Sequence, residues 1–396
     1  MQSRPVFPPE IFDIILEQIP YSADAESERE DSEYTSTLVN CTLVSSSFRD
    51  RGQRRLFDDV NIHLPPFNKG HSTLNHILAS SARLRTFVHK LHLAIRPKIA
   101  QGQVEFNPAL PNLTDLWIIG SSRAQFNWND VKAYQSSIYT LMRGSTLYRL
   151  TIRNVYNFPV SALGNCSQLR ELSTNYVKYN DTDFPLSTSP VPQTYLRTIH
   201  SSDITFYKLA TALVEPSFPL SAARLQKLSL VVPNETTSAA LEVILDEAGA
   251  FLDDLELTFH SGFEPPRDFL NLPNPAILRN VTFRNRMDDI SQVVSFLLQI
   301  PEVNKLSSVL IYRSILYSGS IPTQDTEDSS WQQLDEVLTR ERHAVQFQRL
   351  ELRDMFPALN SGRDELEARV SRLLPRLTRS NRVVVSDVDS VDYLPI

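Results

Sequence analysis

The chain has 396 residues, 41% of them hydrophobic and 21% charged, with a net charge of −7 and only 10 glycines. That apolar share supports a sizeable core and excludes wholesale disorder, while the negative balance argues against a broad nucleic-acid footprint. The two closest glycines are Gly249 and Gly262, so no GxGxxG, GxxxxGK[ST] or GxSxG is present, and the phosphate loops and the nucleophile elbow that need closely spaced glycines are absent.

In chain order, the first predicted element is a helix from Pro9 to Ile19. Pro9 suits the first helical turn, where its missing N–H costs nothing. Ile11, Ile14, Ile15 and Ile19 form one side, widened by Phe12 and Leu16, and Glu10, Asp13 and Glu17 form the other. Those acids interrupt the apolar stretch, so the N-terminus does not read as a secretory signal. Pro20 ends the helix. The run from Tyr21 to Ser36 holds Asp24, Glu26, Glu28, Glu30, Asp31 and Glu33 against Arg29 alone, the pattern of a self-repelling solvated loop. A second helical pattern starts at Ser36 or Thr37 and places Leu38, Cys41, Val44, Ser45 and Phe48 at spacings of three and four. Leu56, Phe57, Val60, Ile62 and Leu64 then read as a helix end passing into a strand.

The order FPPEIFDIILEQIP, then LVNCTLVSSSFRDRGQRRLF, resembles the F-box. Phe7-Pro8-Pro9-Glu10 stands at its opening, where leucine is usual. Leu38, Cys41, Val44-Ser45 and Phe48-Arg49 stand in its second half, and Arg54 to Phe57 in its closing turn. The acidic run lengthens the gap between the two helices beyond the usual F-box. The resemblance covers roughly the first sixty residues. It implies docking to a small adaptor protein and, through it, to a cullin of a ubiquitin ligase. Pro8, Pro9, Ile11, Ile14, Ile15, Leu38, Val39, Val44 and Phe48 would supply the adaptor-binding face. A helical bundle capping the main domain would bury the same stripe within the chain.

Beyond residue 65 the pattern apolar-x-x-apolar-x-apolar recurs. Strong copies are Leu113/Leu116/Ile118, Leu147/Leu150/Ile152, Leu225/Leu228/Leu230, Leu252/Leu255/Leu257, Leu278/Val281/Phe283, Leu306/Val309/Ile311 and Phe347/Leu350/Leu352. Weaker ones are Val88/Leu91/Leu93, Leu169/Leu172 and Leu196/Ile199. The middle positions are 91, 116, 150, 172, 199, 228, 255, 281, 309 and 350. Most of the intervals fall in the 20–29-residue window of leucine-rich repeats. Helical patterns lie between them at His71–Arg83, Thr237–Gly249, Asp288–Ile300 and Ser329–His343. The chain thus resembles leucine-rich-repeat proteins from about 65 to 360, which implies parallel strands, outer helices and stacked units in an irregular solenoid of the α/β class. The usual turn Asn or Cys is missing: Ser121, Val155, Pro233, His260 and Arg286 stand there. The turns must satisfy their backbones otherwise. The two longest intervals imply insertions near Ser121–Asp130 and Ser318–Ser330.

The expected organisation is a helical module at 1–64 with its acidic loop at 21–36, a solenoid at 65–360, and a capping helix, strand and tail at 361–396. Cys41 and Cys166 form no CxxC clip, and the eight histidines no HExxH pair. No enzyme activity, cofactor or metal is expected, nor a nucleic-acid or membrane partner. Without a signal or span, the expected compartment is cytoplasmic or nuclear. Trp117 lies inside a strand motif and fills core or concave surface. Trp128 and Trp331 lie in or beside the insertions, as target contacts or as packing against the insertion's own helix. The function implied is substrate recognition for a cullin-type ubiquitin ligase. The alternative is a repeat scaffold for protein–protein interaction with no link to ubiquitination.

Overall fold

The computed structural model describes residues 46–64, 69–95, 109–120, 126–180, 193–203, 205–232, 234–248, 250–259, 277–285, 290–300, 304–313, 324–340, 346–354, 368 and 370–387. The chain divides into two units, 1–156 with 165–168, and 157–164 with 169–396.

In the first unit α1 (Ser46–Asp58) runs straight into β1 (Asp59–Leu64). Then come α2 (Lys69–Ser80), the single turn α3 (Ala82–Arg85), β2 (Lys90–Ile95), β3 (Asp115–Gly120), β4 (Phe126–Asn127), a 3-10 turn at Trp128–Val131, α4 (Lys132–Met142), β5 (Arg149–Arg153) and β6 (Val155–Pro159). Ser81 caps α3 by accepting from the Leu84 N–H at 3.3 Å. Strands β1, β2, β3 and β5 pair in parallel, and the short β4 pairs with the start of β6.

The second unit holds β7 (Glu171–Asn175), β8 (Lys178–Asn180), β9 (Thr194–Tyr195), β10 (Thr198–Ser201), α5 (Phe206–Val214), β11 (Leu220–Ser221), β12 (Lys227–Val232), α6 (Glu235–Ala248), β13 (Asp254–Phe259), β14 (Asn280–Asn285), α7 (Ser291–Gln299), β15 (Ser308–Arg313), α8 (Gln324–Thr339), β16 (Arg349–Asp354), α9 (Pro375–Arg379) and β17 (Val383–Asp387). Its ladder runs β7-β10-β12-β13-β14-β15-β16-β17, parallel at every step recorded, with β9 and β11 as a separate pair. Both units are thus α/β with extensive parallel pairing, the class expected from the sequence. Parallel neighbours need a crossover connection, which fixes the alternation of strands and helices.

The repeat positions stand opposite one another. Leu91, Leu116 and Leu150 are direct partners across β2, β3 and β5. Leu172, Ile199, Leu228, Leu255, Val281, Val309 and Leu350 are direct partners from β7 to β16. Each is buried. A second buried column stands two residues on, as a period of two requires: Leu93, Ile118 and Ile152 in one unit, Leu230, Leu257, Phe283 and Ile311 in the other. Helices cover this side, as the edge-on contact of Phe296 in α7 with Phe283 in β14 shows, at 5.3 Å between ring centres. Helix α6 starts at Asn234, whose side chain accepts from the Thr237 N–H at 3.0 Å, and it buries Ala240, Leu241, Ile244 and Leu245.

Without an asparagine ladder, the leading turns close chiefly through backbone, with the Thr114 and Ser307 hydroxyls adding to it. Two successive N–H groups converge on the carbonyl at the head of the preceding strand. Thr114 and Asp115 donate to His89, Tyr148 and Arg149 to Thr114, Gln226 and Lys227 to Arg197, Asp253 and Asp254 to Gln226, and Ser307 and Ser308 to Arg279. At the far ends of β7 and β10 side chains take over. Asp203 is buried, accepts from the Val177 N–H at 2.7 Å and from the Ser201 hydroxyl at 3.1 Å, and Thr174 donates to Ser201 at 3.0 Å. Thr205 accepts from the Tyr179 N–H at 3.0 Å. Burial raises the Asp203 carboxyl to about 6, against the lowering effect of these hydrogen bonds.

Several boundaries differ from the sequence expectation. The division after residue 64 separates β1 from β2, yet Val60 faces Leu91 and Ile62 faces Leu93, so β1 belongs to the ladder. The expected closing strand is β17, which pairs with β16. Helix α7 buries Val293, Val294 and Leu297 but leaves Leu298 half exposed. Helix α8 starts at Gln324, inside the expected insertion, and ends at Thr339. Within the expected capping helix, Pro375 opens the short α9, where its ring suits the first turn. Among the described residues, no helix is long and apolar enough to cross a membrane.

Candidate functional site

Because side chains alternate along a strand, burying one column turns its neighbours to the opposite face. That face carries the polar and aromatic positions of the repeats, and each unit builds a platform on it.

In the first unit His92, Trp117 and Thr151 are direct partners across β2, β3 and β5. His92 stacks on Trp117 with ring centres 4.9 Å apart. Arg153, two residues beyond Thr151, reaches back over the same indole, its guanidinium carbon 5.0 Å from the ring centre. Nearer the strand starts each carboxylate has a partner. Asp59 lies 3.2 Å from His92 Nε2, and Arg149 lies 2.7 Å from Asp115. Arg153 differs: among the described residues no carboxylate pairs with it, and its Nε is shut from solvent with no hydrogen-bond partner. Burial holds its pKa below the ordinary arginine value. The approach is shaped by Gly120 at the end of β3, where an added Cβ would lie 2.1 Å from the Asn154 carbonyl oxygen. Only glycine lets these two backbones come so close.

In the second unit Arg284 and Arg353 cover Tyr312, 4.3 and 5.5 Å from its ring centre, and leave it only 4% exposed. Arg284 bonds Glu256. Glu351 bonds Arg353 at 2.6 Å and Arg349 at 2.8 Å, and Arg353 also donates to the Tyr312 hydroxyl at 3.0 Å. Glu256 and Glu351 thus hold Arg284 and Arg353 in place over Tyr312. Partly exposed arginines fixed in this way suit protein contact, where Arg is among the residues that carry most binding energy.

The nine expected adaptor-binding residues Pro8, Pro9, Ile11, Ile14, Ile15, Leu38, Val39, Val44 and Phe48 lie outside the described residues, Phe48 because only its backbone, in α1, is described. Of the turn positions, Ser121, Pro233, His260 and Arg286 also lie outside them, and Val155 is buried at the start of β6. The two tryptophans read as target contacts are corrected. Trp128 is 1% exposed and Trp331 6%. Trp128 is held by Gln135, which donates to its carbonyl at 2.9 Å, and by Tyr139, whose hydroxyl accepts from its indole N–H. Trp331 shares the buried stripe of α8 with Leu334, Val337 and Leu338. Trp117, left open between core and surface, faces outward.

The sequence reading missed Arg153, Arg284, Tyr312 and Arg353 as site residues. The available signal was their position, all at the non-core positions of a repeat. His89 and His92 pair with Asp58 and Asp59 rather than with metal-ligand neighbours. Among the described residues no three His, Cys, Asp or Glu side chains gather to hold an ion. Burial pushes the Cys166 thiol up to about 12, which keeps it un-ionised and unreactive. No known protein-family model matches the chain, and no curated protein matches it.

Proposed function

We propose that this protein is the recognition subunit of a cullin-type ubiquitin ligase, with irregular leucine-rich repeats that hold a target protein and an F-box-like N-terminal segment that docks the adaptor. The observation that carries the recognition half is the open ladder face of each unit, where repeat positions assemble the Trp117–Arg153 platform in one and the Tyr312–Arg284–Arg353 cluster in the other. The docking half is supported by the order of Phe7-Pro8-Pro9-Glu10, the isoleucine stripe, and Leu38, Cys41, Val44 and Phe48. An amphipathic helix with one apolar stripe is the usual form of a groove-binding element. The protein acts by proximity: holding target and ubiquitin-charged enzyme on one assembly raises their effective concentration. It supplies no catalytic group.

The repeat scaffold without a ligase link is separated from this reading by deleting residues 1–44, upstream of α1 and β1. The ligase reading expects adaptor co-purification to vanish while the melting temperature stays within about 3 °C of the full chain, a shift of order 1 kcal/mol for a domain of this size. A cap buried on the ladder predicts a much larger fall, because removing it exposes repeat core.

A further inference from the structure

The two platforms differ in one respect that bears on what each can bind. Around Tyr312 each arginine touches a carboxylate: Arg284 touches Glu256, and Arg349 and Arg353 share Glu351. Around Trp117 the pairs Asp59–His92 and Asp115–Arg149 leave Arg153 as a cation without a counter-charge among the described residues. A guanidinium held against an indole, with its Nε sealed from water, has lost part of its hydration without gaining an ion pair. That deficit is offset by an incoming anion, to which the planar guanidinium donates two parallel hydrogen bonds from its terminal nitrogens.

We propose that the Trp117–Arg153 platform binds a carboxylate side chain, Asp or Glu, within an apolar segment of the target protein. The inference rests on the recognition reading above and names the chemistry of its target. One feature favours a carboxylate over a phosphate: the platform offers a single guanidinium with no carboxylate partner among the described residues, which balances one negative charge rather than two. The flanks favour apolar neighbours, because Ala94 and Ile119 are direct partners beside Trp117 on the same half-exposed face.

Trp117 makes the test direct. It is half-buried, whereas Trp128 and Trp331 are buried, so its fluorescence reports binding at this surface. The full chain is titrated with nine-residue peptides that carry one central Glu flanked by Leu, Val, Phe or Trp. Matched peptides carry Gln or phosphoserine at the centre. For non-tryptophan peptides the readout is Trp117 emission, with Trp117→Phe as its control; for all, it is anisotropy of a labelled peptide. At least one Glu peptide is expected to bind at least 10-fold more tightly than its Gln and phosphoserine counterparts. Arg153→Gln should remove that preference. Arg153→Lys, which keeps charge but loses the planar fork, should retain only part of it. Equal binding of Glu and Gln peptides, tighter binding of phosphoserine, unchanged binding by Arg153→Gln in a chain with wild-type melting temperature, or no binding at 1 mM peptide overturns the proposal. Adaptor co-purification by the same Arg153→Gln chain is read in parallel. If it persists while Glu selectivity is absent, the carboxylate inference fails and the ligase reading stands; if wild-type chain takes no adaptor yet shows Glu selectivity, the reverse holds.

Discussion

Replacing Leu228 by alanine is expected to destabilise the second unit by about 4 kcal/mol, within the range for emptying a fully buried leucine position. Leu228 lies in β12 between Ile199 and Leu255, its direct partners, and all three are at most 1% exposed. The strands on both sides are held by parallel hydrogen bonding, so the gap cannot close by sliding one side chain inward, and the cavity term persists. Thr258→Ala, on the open face of β13, is the control and should cost less than about 1 kcal/mol. Urea midpoints of the two variants, with amide exchange followed in β10, β12 and β13, check the contrast. Equal losses would mean that the two faces of the ladder are not distinguished as described.

Asp203 predicts an effect of similar size with a pH signature. Its carboxyl titrates at about 6 in the fold against an ordinary value of 3.8, because burial penalises the charged form. A carboxyl raised in this way is most compatible with the fold below pH 4, and that stability is lost as pH rises through about 6. At roughly 1.4 kcal/mol per pKa unit, the loss by pH 7.5 is about 3 kcal/mol. Asp203→Asn keeps an oxygen to accept the Val177 N–H and has no charge to bury. The two proteins should therefore unfold at similar denaturant concentrations at pH 4, with the variant gaining relative stability as pH rises through about 6 and the difference level from there to pH 7.5. Asp203→Ala should be less stable than Asp203→Asn throughout, since it leaves the Val177 N–H without its partner. Parallel stability curves for wild type and Asp203→Asn between pH 4 and 7.5 would contradict this account of the site.

The strands were legible because two constraints coincide in them. Leu116, Leu228 and Leu255 each begin an alternation that repeats at an interval set by one strand and one crossover, and neither helix nor loop reproduces both. Elements of two or three residues, such as β4, β9 and β11, are too short for any period to register, and they stayed invisible. Helix α5 went unread because its apolar run Phe206, Leu209, Ala210, Ala212 and Leu213 follows Thr205, whose side chain serves the Tyr179 backbone and does not cap the helix. Of the two readings of Trp128 that its place beside an insertion left open, contact and packing, the structure has packing. Asn127 and Asn129 suggest surface, yet Asn127 turns its side-chain oxygen to the Asn129 N–H and so closes the 3-10 turn that points the indole inward. Trp331 carried a usable signal in its helical spacing to Leu334 and Leu338. The platforms were half legible. That a residue at a non-core repeat position faces outward follows from alternation, but that Arg153 lacks a counter-charge while Arg284 and Arg353 have theirs depends on contacts between strands distant in sequence. The division into two units near residues 157–168 left no mark on the repeat spacing, which continues through it.

The account turns most on whether the isoleucine stripe near the N-terminus engages another subunit. The direct measurement is binding of the purified full chain to the purified ligase adaptor by calorimetry, alongside an Ile11→Asp/Ile15→Asp variant. The account predicts one-to-one binding by the wild-type chain and its loss, by at least 100-fold, in the variant, with the melting temperature unchanged. Absence of binding by the wild-type chain, or equal binding by both proteins, would contradict it.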